Sequence, residues 1–296
     1  MRNPDPETCR LACPVCGEAL REAGGSARCP AGHSFDFARS GYLNLSRGGA
    51  PARRGDSAAM VRARTAFLAA GHYRPLAAAL AEAAVAASAG AAADDDDPAG
   101  SPGVLCELGS GTGYYLGAVT GALTAAGRAP AAAVGIDLAK PAADRAAKDH
   151  PGAAFAVADV EEAVPLLAAA ASLCLSVFAP RPGAELGRVA RPGGALLVAL
   201  ATPRHLARLR DRLGLIAVGE DKLERLGERL SPWFEPTDQS AVEWELRLSE
   251  QDARNLVLMG PNARHDPDLA PLAGGLEDRA SVTVATFRHG RGTAVH

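Results

Sequence analysis

Four side chains of metal-binding type stand in two short knuckles near the start of the chain, and few folds can bring them together. Cys13-Pro-Val-Cys16 is followed, after twelve residues, by Cys29-Pro-Ala-Gly-His33. Three thiolates and one imidazole make up the four-coordinate shell of structural zinc. Pro14, Gly17, Pro30 and Gly32 let each knuckle double back and turn its two ligands toward one ion. A filled shell leaves no open position for a reactive water, so Zn2+ here organises structure and the chemistry belongs elsewhere. The competing readings are unmetallated thiols or a redox pair. Cys9 stands outside the set, while Cys106 and Cys174 lie in apolar runs and read as core thiols.

After the knuckles, residues 35–45 (FDFARSGYLNL) alternate in polarity and predict a strand closing the zinc module, with a flexible SRGGAPARRGDS segment behind it. The net charge of the whole chain is −3, yet from Arg39 to Arg64 six arginines face a single carboxylate, Asp56, a local excess of five. Of these, Arg53, Arg54, Arg62 and Arg64 are the candidates for phosphate contacts, against the plainer reading of a solvated loop and helix face. Arginine outnumbers lysine 28 to 3, which with abundant alanine fits a GC-rich genome, so arginine excess alone says little about RNA. Met60, Arg64, Phe67 and Leu68 keep helical spacing, and a second helix resumes after Pro75. Residues 90–103 (GAAADDDDPAGSPG) read as a solvated linker.

At 296 residues the chain has room for about two domains. The boundaries expected are 1–46 for the zinc ribbon, 47–100 for the basic loop, helical segment and acidic linker, and 101–296 for a larger domain. The longest weakly polar runs are alanine-based and too short or interrupted to span a bilayer, and the N-terminus lacks a secretory pattern, so a cytoplasmic protein without a membrane partner is expected. From Gly103 strands and helices alternate: VLCELG, a helix over 114–126, AAAVGID, a helix over 141–149, AFAVAD. Buried strands over 173–178 and 195–200 follow, with helices over 185–190 and 204–213. AVEWELRLS, a helix over 250–259 and SVTVATFRHG complete the pattern as an edge hairpin. The expectation is an α/β fold with a mostly parallel, seven-stranded sheet covered on both faces.

The first of these strands ends in Glu107-Leu-Gly109-Ser-Gly111-Thr-Gly113-Tyr114. Glycines there let the backbone approach a bound nucleoside at a helix N-terminus. Asp137 ends the second strand, where a carboxylate can hold ribose hydroxyls, and Asp159 ends the third; either could instead be a strand-end cap. An acid before G-x-G-x-G, with acids closing the next two strands, resembles class I (Rossmann-like) methyltransferases that use S-adenosyl-L-methionine more than it resembles the dehydrogenases.

Taken together, Cys13, Cys16, Cys29 and His33, then FDFARSGYLNL, GDSAAMVRARTAFLAAGHYRPL and ELGSGTGYY resemble the 23S rRNA (guanine-N1-)-methyltransferases of the RlmA/TlrB type. The resemblance implies a zinc domain that helps grip a 23S rRNA hairpin, a Rossmann-like domain that moves the methyl group, and a homodimer. By position it implies that Tyr73, Gly113, Tyr114 and His205 contact the methyl donor. It also turns attention to Val177-Phe178-Ala179-Pro180-Arg181, where Phe178 could stack on the target base and Arg181 could stabilise charge at guanine O6; no carboxylate stands in that segment to take the N1 proton. Members act on closely placed guanines near the peptide exit tunnel, and methylation of one is linked to macrolide resistance in producing actinobacteria. Two other readings stay open: a small-molecule methyltransferase carrying a zinc ribbon, and a nonenzymatic zinc-ribbon RNA-binding protein.

Overall fold

The computed structural model describes residues 5–47, 54–89, 103–215, 219, 221–265 and 267–290. Arg53 and the acidic run at 94–97 lie outside them. The N-terminal module is a three-stranded antiparallel ribbon, β1 (Arg21–Ala23), β2 (Ser26–Arg28) and β3 (Ser34–Asp36). The single strand expected over 35–45 is broken. The Ala38 N–H donates to the Tyr42 carbonyl, Gly41 takes φ +99°, and the chain turns away from the ribbon. Its continuation, β4 (Leu43–Asn44), pairs in parallel with a strand of the main sheet.

That sheet contains β5 (Val104–Leu108), β6 (Ala132–Asp137), β7 (Ala154–Val157), β8 (Ala171–Val177), β9 (Ala190–Ala201), β10 (Phe234–Leu248) and β11 (Leu276–His289). The strand order is β10-β11-β9-β8-β5-β6-β7-β4. The seven strands expected are all present, and β4, supplied by the zinc module, makes an eighth. β11 runs antiparallel to both neighbours, and the central strands are parallel. Every residue of β5 and β7 is buried, as in strands covered on both faces, and Glu107 is the one charged residue among them.

Alternate strand residues feed two cores. One takes Leu105, Leu173, Leu175 and Leu197 and packs them under the helices α1 (Ala58–Ala69), α2 (Arg74–Ala89), α3 (Tyr114–Ala125), α4 (Lys140–Asp149) and α8 (Glu250–Leu258). The other takes Cys106, Cys174, Ile136 and Leu196 and packs them against α5 (Gly183–Val189), α7 (Lys222–Leu230) and the zinc module itself. Cys106 and Cys174 are fully buried neighbours in that core, where desolvation pushes the Cys174 thiol up to about 12.

Three elements differ from the sequence reading. α6 (Ala207–Leu213) starts three residues late because Leu206 adopts φ +53°, outside the helical region. α7 was not anticipated; its apolar residues Leu223, Leu226 and Leu230 pack toward the sheet while the rest of the helix is polar. β10 and β11 pair over most of their length but form no hairpin, since α8 and the short 3-10 turns Pro261–His265 and Ala270–Leu272 intervene. Among the described residues no helix is long and apolar enough to cross a membrane.

Candidate functional site

The two knuckles close on one point. Cys13 Sγ lies 3.6 Å from His33 Nδ1, Cys16 Sγ 3.6 Å from Cys29 Sγ, and Cys29 Sγ 3.3 Å from His33 Nδ1. All four donor atoms fall within 4.8 Å of one another, a group able to hold a metal ion. The loops that aim them are tied by the Gly17 N–H to the Cys13 carbonyl and the Gly32 N–H to the Cys29 carbonyl, with both glycines left-handed at φ +77° and +87°. Cys9 is buried and takes no part in the group.

This module is bonded into the body of the protein. The Ala12 N–H donates to the Pro165 carbonyl, the Leu167 N–H to the Arg10 carbonyl and the Leu45 N–H to the Val157 carbonyl. Arg188 of α5 clamps the receiving loop by donating to the Leu166 and Val164 carbonyls, and Glu185 accepts from the Val164 N–H. Asp159 ends on this side. It accepts from the Glu161 N–H and lines a cleft shared with Cys13 and Arg47, away from the glycine turn.

Between β5 and β8 the order of connection reverses, and at the carboxyl ends of such strands α/β sheets place their ligands. A cavity of about 400 Å³ opens there, within the range of about 300–1,000 Å³ usual for small-molecule sites. Gly109, Ser110, Thr112 and Tyr114 form one wall, Tyr73, Phe178 and His205 another, and Leu256 to Asn262 a third. Gly109, Gly111 and Gly113 all take positive φ, and a Cβ on Gly109 would sit 2.5 Å from the Ala179 side chain, so the backbone favours glycine at these three positions. Glu107, buried beneath the turn, accepts from the Leu116 N–H in the first turn of α3; desolvation raises its carboxyl to about 8.

Asp137 sits at the end of β6, but both carboxylate oxygens already accept backbone N–H groups, Oδ2 from Gly111 and Oδ1 from Ala139. Above it lies a strap that the sequence reading did not foresee. Arg64 donates 2.6 Å to Asp56 and 2.8 Å to the Met259 carbonyl, and its guanidinium rests 2.8 Å from where a Cβ on Gly111 would be. Arg64, expected to meet phosphate, is therefore engaged inside the protein. Arg62 and Arg54 are exposed.

On the opposite wall the Tyr73 hydroxyl lies 3.2 Å from His205 Nε2, and His205 Nδ1 accepts the Ser281 N–H at 3.1 Å. That acceptor role fixes the neutral tautomer with its proton on Nε2. Burial, with Arg210 adding repulsion, pushes the imidazole down to about 4. Tyr73 also meets Trp244 edge-on at 5.4 Å, and the indole N–H donates to the His72 carbonyl. Phe178 faces Tyr73 and His205 at 6.4 and 5.8 Å, is 44% exposed, and holds φ +54°, a conformation costly for an aromatic residue and often kept at functional sites. Arg181 is not on the cavity wall: its guanidinium is near Arg229 of α7, whose charge adds to burial in lowering its basicity. Nothing in the sequence flagged Trp244, Arg210 or the 256–262 wall, which come from the C-terminal half without any motif.

Residues 11–46 match the zinc-ribbon family described as RlmA, N-terminal. Over 285 residues the chain is 45% identical to a Micromonospora griseorubida protein classed with the 23S rRNA (guanine-N(1)-)-methyltransferases, covering 93% of this chain and 94% of the relative. It is 41% identical over 285 residues to the 23S rRNA (guanine(748)-N(1))-methyltransferase of Streptomyces fradiae, covering 94% and 96%. A Bacillus subtilis protein of the same class is 31% identical over 204 residues, covering 68% and 67%.

Proposed function

Because the chain belongs to the family of 23S rRNA (guanine-N(1)-)-methyltransferases, we propose that its sheet-end cavity binds S-adenosylmethionine and that the bound donor methylates N1 of a guanine in a 23S rRNA hairpin near the peptide exit tunnel. The observation that carries this reading is the meeting, on one cavity, of the left-handed glycine turn and the left-handed, half-exposed Phe178.

The residues present fit both implied groups. Spacings of 3.3 to 3.6 Å between thiolate and imidazole donors are those of a tetrahedral zinc shell. The glycine turn, which brings Gly109 to the cavity, and Tyr73, Tyr114 and Tyr115 on its lining suit a nucleoside. S-adenosylmethionine, when bound, supplies an electrophilic methyl on a sulfonium.

The protein's own part is alignment, worth on the order of 7–11 kcal/mol for well-placed partners. Phe178 offers a ring face to a flipped purine at the cavity mouth. Among the described residues no carboxylate lines the cavity, and His205, neutral with Nε2–H turned to Tyr73, has no lone pair to offer. Water at the open cavity mouth is the acceptor this reading gives the guanine N1 proton. Exposed Arg54 and Arg62 suit phosphate contacts, and the metal module suits a grip on the hairpin. A homodimer and a role in macrolide resistance are part of the same reading, supported by the family relationship.

Zinc-loaded protein, S-adenosylmethionine and unmodified 23S rRNA are incubated and reverse-transcription stops mapped. A new stop at a hairpin guanine is expected, since a methyl on the pairing edge blocks copying. No new stop, or methyl transfer to a free metabolite instead, overturns the assignment. Light scattering reads the dimer, and macrolide tolerance of a sensitive host expressing the protein reads the resistance role.

A further inference from the structure

Helix α7 carries Lys222, Arg225 and Arg229 at positions i, i+3 and i+7, which lie within an arc of about 60° around the helix. Leu223, Leu226 and Leu230 occupy the neighbouring arc and pack on the core, and Glu224 and Glu228 fall outside the basic stripe. At one end of the stripe Lys222 is close enough for its charge to be felt at His205 on the cavity wall. At the other, Arg229 stands beside Arg181, three residues beyond Phe178. The chain just after Arg181 packs closely on the end of α7: a Cβ on Gly183 would come within 3.0 Å of the Arg229 carbonyl and 2.8 Å of the Trp233 ring.

Arg181 Nη1 is buried without a hydrogen-bond partner, and neither Arg181 nor Arg229 meets a carboxylate among the described residues. Among the described residues Arg225 has an exposed, 3.5 Å contact with Asp221, which a stronger anion can displace. A partly desolvated, unsatisfied guanidinium at Arg181, within reach of the Arg229 charge, is an arrangement that an anion would relieve. A guanidinium fork matches phosphate oxygens in pairs.

We propose that Arg181 and the Lys222–Arg225–Arg229 face of α7 form a track for the RNA phosphodiester backbone on one side of the target guanine. The proposal rests on the rRNA methyltransferase reading. It moves Arg181 from the base to the backbone and adds a helix that no motif marked. The track passes the cavity mouth at Phe178, so a chain held on it can present a flipped base there.

The test uses the full-length, zinc-loaded protein with an rRNA hairpin labelled for anisotropy between 50 and 200 mM salt, values chosen to span about the range over which phosphate contacts dominate. Arg229→Glu and Arg181→Gln should each weaken binding and flatten the plot of log affinity against log salt by about 0.7 for every phosphate no longer neutralised. Arg229→Lys, which keeps the charge, should restore most of the affinity. Calorimetry with S-adenosylhomocysteine should be unaltered in all three, which also reports that they are folded. Arg247→Glu, on the far strand β10, should leave RNA binding as it is. Wild-type methylation of the hairpin with no change of affinity or slope in Arg229→Glu defeats the track alone. Failure of the wild type to bind or methylate the hairpin defeats the functional reading beneath it.

Discussion

The Tyr73 hydroxyl accepts the Nε2 proton of His205 across 3.2 Å and 132 positions of sequence. Because the Ser281 N–H occupies Nδ1, the bond has one direction only, and it pins the helical segment before the sheet to the antiparallel strands at its far side. Tyr73→Phe keeps the ring against Trp244 but strands a buried donor, a cost of about 1–3 kcal/mol. Urea unfolding should show that loss, and S-adenosylhomocysteine should bind more weakly; a variant equal to wild type in both removes the pair from the site.

The same histidine sets a pH limit. Its folded value of about 4 lies below the ordinary value of about 6.5. Between these values the unfolded chain takes up a proton that the folded one refuses, so stability is complete above about pH 6.5 and declines as pH falls toward 4, by roughly 3 kcal/mol. Protonation would also set an imidazolium N–H against the Ser281 N–H. Denaturant titrations from pH 4.5 to 7.5 should give a steeper acid decline for wild type than for His205→Gln, and parallel curves would contradict the assignment.

Arg64 joins Asp56, the Met259 carbonyl and the glycine turn. Arg64→Ala should cost about 1–3 kcal/mol as its charge-assisted bonds disappear, and hydrogen exchange should rise at residues 54–57 and 259–262. A double-mutant cycle with Asp56→Ala should show coupling of about 1 kcal/mol; additive losses would mean that the pair holds nothing.

Metal removal should reach far beyond the knuckles. The module shares backbone bonds with the 157 and 165–167 segments and a core with α5 and α7. Chelation should therefore lower and broaden the main calorimetric transition while the metal is released, and Cys13→Ser should do the same. A main transition indifferent to chelator would show the module to be energetically separate.

Much of this was legible. Cys13, Cys16, Cys29 and His33 announce their geometry because a metal demands fixed ligand types and short loops, and the donor atoms do converge. The Gly109–Gly113 turn is equally readable, since its backbone favours glycine. The single strand expected over 35–45 failed because alternation says nothing about partners: Leu43 and Asn44 keep the pattern but pair with β7. The bond of Arg64 to Asp56 was not legible, because a positive charge in sequence looks the same whether it faces solvent or a carboxylate. Trp244 and the 256–262 wall were invisible because they meet Tyr73 and the glycine turn only through long-range packing.

Strand β4 gives the sheet a boundary it could not make for itself. The free edge at β10 is defended by Glu235, Asp238, Glu243, Glu245 and Arg247, charges that deter other strands from docking. β7 has no such guard; Ala154, Phe155, Ala156 and Val157 are all apolar, and Leu43 and Asn44 from the N-terminal module pair with the last two of them. Cutting the ribbon away would leave a sticky, uncharged rim that invites self-association, so the two parts of this molecule are not interchangeable cassettes and would have to be inherited, and engineered, as one piece.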